Sequence, residues 1–209
     1  MVSRFLTLAL FLGAVLASQA QFKSLVVEEV DNKGEVPGRT YRVYAQMEGE
    51  GDVIDAVFGD GDDYLEVSST APFYQHELGA NSANDLQRAT VQSEPGLKYD
   101  SWVTIGFEDN YMNALTAFLM DFSGFEKGDT LFTDNGAWFV TPDMRQAAAG
   151  PDGKLLLMQL TTEGEVSGQL NLHGRTRPLP LRNLEDLAQY PDSLAPRLID
   201  VRNVELSIR

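Results

Sequence analysis

Three aspartates, Asp60, Asp62 and Asp63, crowd into the stretch Gly59-Asp60-Gly61-Asp62-Asp63-Tyr64-Leu65. Clustered carboxylates with intervening glycines suit a hard cation, and calcium is the ion such oxygens select. The stretch matches part of the glycine-rich G-x-G-x-D-x-U calcium repeat, which works as stacked copies, whereas a single copy stands here. An EF-hand is excluded, because Ala71 stands where its bidentate glutamate belongs. Calcium takes six or more oxygens, so Asp60, Asp62 and Asp63 would need help from Glu48, Glu50, Asp52 or Asp55 in the neighbouring turn. The competing reading is a solvated acidic turn.

Other chemistry is thinly supplied. His76 and His173 are the two histidines, cysteine is absent, and no G-x-S-x-G elbow occurs. Both histidines read as surface residues, and a zinc site would need a mixed carboxylate set. A glycosidase pairs two carboxyl groups in space, so its acid and base cannot be picked from 31 acidic residues by spacing. Trp102 and Trp138 fall in apolar surroundings and read as core. Phe73, Tyr74 and His76 in a polar loop, together with Tyr111, are the candidate ligand contacts.

The elements that must position these residues are mostly strands. Leu25 to Val30, Arg39 to Met47, Val53 to Phe58, Tyr64 to Val67, Tyr99 to Phe107, Ala137 to Thr141 and Ile199 to Ile208 each read as one, separated by Gly, Asn, Asp and Pro turns. Lys154 to Gly174 reads as a β-hairpin. Val166, Gly168, Leu170 and Leu172 alternate with Ser167, Gln169, Asn171 and His173, which buries one face. A three-residue loop, Thr162 to Gly164 with Gly164 left-handed, puts like opposite like. Leu155 and Leu157 make the first of its strands apolar on both faces, as for a strand inside a sheet. Ser69 to Leu97 is polar and weakly periodic, with a long loop around Gly79 to Asp85. One helix is expected where Tyr111, Leu115, Phe118, Leu119 and Phe122 recur at helical spacing; a second helical patch spans Leu184 to Leu187. The pattern predicts an all-β fold: a two-sheet β-sandwich, jelly-roll-like, with one short helix.

Composition sets the surroundings. Arg4, the apolar run Phe5 to Leu16 and Ser18-Gln19-Ala20 make residues 1–20 a signal peptide, cut before Gln21. Residues 21–209 are then one β-sandwich domain, with 177–209 a less ordered C-terminal extension. The apolar run is short for a membrane anchor, so no membrane insertion is expected after cleavage. The formal charge of −15 repels nucleic acid and anionic lipid. The lack of cysteine and of glycosylation acceptors leans towards a bacterial source.

Several segments form an ordered series: Tyr41-Arg42-Val43-Tyr44-Ala45, Val57-Phe58-Gly59-Asp60, Phe73-Tyr74-Gln75, Tyr99 to Gly106, Gly136 to Val140, and Gln159 to Thr162 with Gly164 and Ser167-Gly168. The series resembles a group of uncharacterised exported proteins of marine bacteria that often carry a surface-sorting tail. The resemblance spans roughly Tyr41 to His173 and implies an extracellular or surface-displayed β domain with no known activity. Beyond Thr176 the chain departs from that pattern.

The sequence therefore predicts a secreted, extracellular protein, with periplasm or cell surface as the other locations. It is expected to be non-catalytic, serving binding, adhesion or matrix structure with an extracellular glycan or a surface protein as partner. The alternative is a hydrolase of extracellular polysaccharide using Asp and Glu.

Overall fold

A computed structural model describes residues 22–176 and 196–209. Residues 1–20 and the patch Leu184 to Leu187 lie outside the described residues. The strands are β1 (Phe22–Val30), β2 (Arg39–Met47), β3 (Val53–Ser69), β4 (Trp102–Val103), β5 (Thr116–Phe118), β6 (Leu131–Phe139), β7 (Lys154–Thr162), β8 (Val166–Arg175) and β9 (Leu198–Ile208). They form two antiparallel sheets, ordered β1-β2-β7-β4 and β5-β6-β3-β8-β9. The two-sheet β-sandwich expected from the sequence is the fold observed. Trp138, Leu131, Leu65, Leu157, Leu160 and Leu170 are fully buried between the sheets, which removes their apolar surface from water.

β7 is buried along both faces, as its double apolar character requires. A bulge at Leu157 shifts its parity against β2: Val43 pairs with Met158 and Tyr44 with Leu156. Leu155, Leu157, Met158 and Leu160 therefore all reach the main core. Leu156 points the other way, into a second cluster with Ala83, Leu86, Leu97 and Trp102. Beyond it the outer face turns polar. Gln159 donates to the carbonyls of Lys98 (2.9 Å) and Asp100 (2.8 Å), and the Thr161 hydroxyl to that of Tyr99 (2.6 Å). Residues 74–101 and 107–111, on either side of the edge segment that holds β4, thus lie as a third layer over this sheet, and they include the short helix α1 (Arg88–Ser93).

The acidic stretch is no turn. β3 runs through it, but Gly61 to Tyr64 face Asp134 alone on β6, so the chain bows outward. β9 bulges at the same level: Arg202 and Asn203 stand opposite Asn171, with Asn203 left-handed at φ +54°. Fully buried Asn171 joins the two irregularities. Its amide donates to the carbonyls of Phe58 (2.9 Å) and Asp63 (2.6 Å) and accepts from the Asn203 N–H (2.8 Å). The β9 bulge also reverses the inward face, so Ile199 is buried before it and Leu206 and Ile208 after it.

Three expected elements are corrected. β7 and β8 are not a hairpin: β7 pairs with β2 and β4, β8 with β3 and β9, and the residues between them cross from sheet to sheet. Both strands carry apolar side chains that need cover, and lying in opposite sheets lets them share one core. Gly164 is not among the left-handed glycines. It is needed because a Cβ there would come within 2.4 Å of the Ala71 nitrogen. The helix expected from Tyr111 to Phe122 is also absent. Asp109 and Asn113 carboxyl and amide oxygens accept from the N–H groups of Tyr111 and Leu115, each two residues on, local bonds that compete with a helix. Thr116 to Phe118 then pair with β6. Of the strand expected from Tyr99 to Phe107, only Trp102–Val103 forms a ladder, though the N–H groups of Thr104 and Gly106 continue onto Leu157 and Leu156.

Replacing Asn171 by Ala strips partners from three backbone groups held under the β3 bulge. We expect a loss of about 3 kcal/mol, read by urea unfolding with the slope unchanged. A loss below about 0.5 kcal/mol would show that the two bulges do not depend on this amide.

Candidate functional site

A cleft opens on the side of the sandwich where the third layer meets β2 and β7. One lobe, of about 660 Å³, is lined by Tyr44, Glu50, Phe107, Glu108, Arg145 and Lys154 among others. The other, of about 570 Å³, is lined by Arg88, Asp109, Tyr111, Met112, Met144 and Arg145. The lobes share Gly106, Phe107, Glu108, Arg145 and Gln146, so they form one elongated groove.

Its floor is fixed by hydrogen bonds. Gln146 is buried, and its amide donates to the Ile105 carbonyl (3.0 Å) and Asn113 Oδ1 (2.8 Å) while accepting from the Ala114 N–H (2.8 Å). Gly106 is left-handed at φ +81°, and a Cβ there would sit 2.0 Å from the Gln146 carbonyl oxygen. Only glycine allows that approach. Leu156 and Leu155 of β7 complete the base.

The walls expose apolar surface. Tyr111 is 58% exposed, Met112 76% and Met144 43%. Met112 is also held left-handed at φ +57°, a strained state for a side chain of its size. Two carboxylates in the groove are neutralised by arginines. Glu108 takes both Nη atoms of Arg42, at 2.8 and 2.7 Å, and Asp109 takes Nε of Arg88 at 2.6 Å. Desolvation pushes the Asp109 carboxyl up, but the Arg88 and Tyr111 donors outweigh it and hold it below the ordinary range. The Arg88 guanidinium also lies 4.3 Å from the Tyr111 ring centre.

The residues singled out in the sequence are scattered. Tyr111 lines the groove. Phe73 is a correction: it is 3% exposed and packs edge-on against Phe125 in the core, so it cannot touch a ligand. Tyr74 and His76 stack edge-on at 6.4 Å beside the Asp100 loop, outside the groove, and His76 Nδ1 accepts from the Leu78 N–H. Burial, then the Asp100 charge, raise the Tyr74 hydroxyl above its ordinary value. Asp60 and Asp63 are bridged by Arg202 Nη1, at 3.0 and 2.8 Å, and Asp63 also accepts from Asn203. Those donors hold the Asp63 carboxyl below its ordinary value. The charge that a calcium ion would neutralise is thus already opposed by a guanidinium. Asp55 gives its carboxylate to His173 Nδ1 at 2.6 Å. The sequence offered no sign of Phe107, Met112, Met144 or Arg145, because turns and a 3₁₀ segment bring them together. No protein family, curated protein or solved structure matches the chain.

Asp100 shows how the third layer is anchored. Its buried carboxylate accepts from the N–H groups of His76 (2.7 Å) and Ala80 (3.0 Å). Burial outweighs these bonds and pushes the carboxyl from 3.8 up to about 6. The folded state therefore binds the proton more tightly than the unfolded chain. Its contribution is fully present below 3.8 and is lost as pH rises through about 6. That gap is worth about 3 kcal/mol. We expect stability to fall between pH 4 and 6.5, with the corresponding part missing in Asp100→Asn. Parallel curves for the two proteins would contradict this.

Proposed function

We propose that this protein is an exported, non-catalytic β-sandwich that binds an extracellular glycan in the groove. The observation that carries the reading is a preformed groove whose walls present Tyr111, Met112 and Met144 to solvent above a hydrogen-bonded floor. Concave sites with apolar walls and a few fixed polar groups are where ligands bind. Glu108 and Asp109 serve as arginine partners, which suits a binding wall better than an acid–base pair. Export rests on the Arg4 to Ala20 stretch. No helix of the described residues is long and apolar enough to cross a membrane.

A glycan fits better than a peptide strand. Peptides add to open sheet edges, but beside the groove the N–H groups of Thr104 and Gly106 already bond Leu157 and Leu156, and Val103 N–H bonds Asn81. A chain of sugars needs no such edge and can stack on aromatic rings.

A glycan array should give a discrete set of ligands. Tyr111→Ala should weaken the best of them about tenfold, the loss of roughly 1.4 kcal/mol of ring contact, with an unchanged melting temperature. Array binding that survives Tyr111→Ala intact would place the ligand elsewhere.

A further inference from the structure

Of the two arginines that line the groove, Arg88 holds a carboxylate and Arg145 holds none among the described residues. Among the described residues Arg39, Arg42, Arg88, Arg175 and Arg202 each hold a carboxylate, in a chain with 31 acidic and 16 basic residues. Arg145 is exposed, holds no carboxylate among the described residues, and lies on the wall common to both lobes. It opens the 3₁₀ segment Arg145–Ala147, whose next residue is the buried Gln146 that fixes the floor. The guanidinium is thus presented from rigid backbone. The neighbouring carboxylates Glu108 and Asp109 are taken by Arg42 and Arg88, which leaves this guanidinium for a ligand.

We propose that the groove takes an acidic glycan, with Arg145 binding the anionic substituent of one sugar. The proposal rests on the glycan reading above and names the class within it. A guanidinium presents a planar fork of donors that matches the paired oxygens of a carboxylate or a sulfate ester. Both sources share this oxyanion chemistry. Position within the groove is set by the remaining charges. Near Tyr111 and Met144, Asp109 is neutralised by Arg88 and Glu108 by Arg42, so Arg145 leaves that lobe positive. Glu50, on the rim of the other lobe, has no cation partner among the described residues. The anionic sugar therefore sits by Arg145 and Tyr111, and Glu50 opposes it. At about 0.15 M salt the screening length is about 8 Å, so the chain's overall negative charge is damped and local charges decide.

The test is calorimetric titration of the purified protein at that salt with polygalacturonate, dextran sulfate, neutral dextran and poly-glutamate. The expected result is binding of one or both acidic glycans, with dextran and poly-glutamate far weaker. Polygalacturonate alone would identify carboxylate, and dextran sulfate alone sulfate. Arg145→Gln should weaken the acidic glycan about ten- to a hundredfold without changing the melting temperature. Arg145→Lys should recover part of the loss, and Glu50→Gln should strengthen binding about two- to fivefold. If dextran binds as tightly and Arg145→Gln changes nothing, the acidic class is overturned while glycan binding in the groove stands. If poly-glutamate matches the glycans and needs Arg145, the ligand is an acidic peptide and the proposal fails. If none of the polymers binds, the glycan reading falls and this proposal with it.

Discussion

The two-sided burial of β7 is the constraint on which the rest of the molecule depends. One face supplies four side chains to the main core. The other would strand Gln159 and Thr161 in a dry environment, and buried polar groups left unpaired cost about 1–3 kcal/mol each. The carbonyls of Lys98, Tyr99 and Asp100 satisfy them, and the hydroxyls of Thr40 and Thr161 pair at 2.8 Å. The third layer is therefore a requirement of the strand beneath it. Once residues 98–106 are fixed to β7, the path of Phe107 to Asn113 follows, and with it one wall of the groove.

The groove gathers groups that the fold itself leaves unsatisfied. Elsewhere several polar side chains find partners inside the fold: Arg202 with its aspartates, Asp55 with His173, Asn171 with two bulges. At the groove, Met112 is held in a strained backbone state, Tyr111 and Met144 stay in water, and Arg145 holds no carboxylate among the described residues. Strain and exposed apolar surface gathered on a rigid floor are features that a bound partner would relieve.

Strands and their buried faces were legible in the sequence, because alternation records which side of a sheet is dry. The apolar run Leu155 to Met158 announced an interior strand, and the core roles of Trp102 and Trp138 followed from their neighbours. Bulges were not legible. A single extra residue at Leu157 or at Arg202-Asn203 inverts parity, and its cause lies in a neighbouring strand. Nor does alternation say which strands pair, so a run, a glycine turn and a second run were read as a hairpin where the chain changes sheets. The helical spacing of Tyr111 to Phe122 was overruled by Asp109 and Asn113, whose side chains cap the local backbone. The groove escaped notice because its members come from separate turns, and only Tyr111 carried a signal of its own.

Methionine methyl groups give the most direct test of the claim that ligand enters this groove. Met112 and Met144 line it, Met47 and Met158 are in the core, and Met120 packs at the edge of the core. With carbon-13 methyl labels, titration with a glycan ligand should shift the Met112 and Met144 resonances together and saturably, leaving Met47, Met120 and Met158 in place. Saturable binding that moves Met120, or that leaves Met112 and Met144 unmoved, would contradict the account.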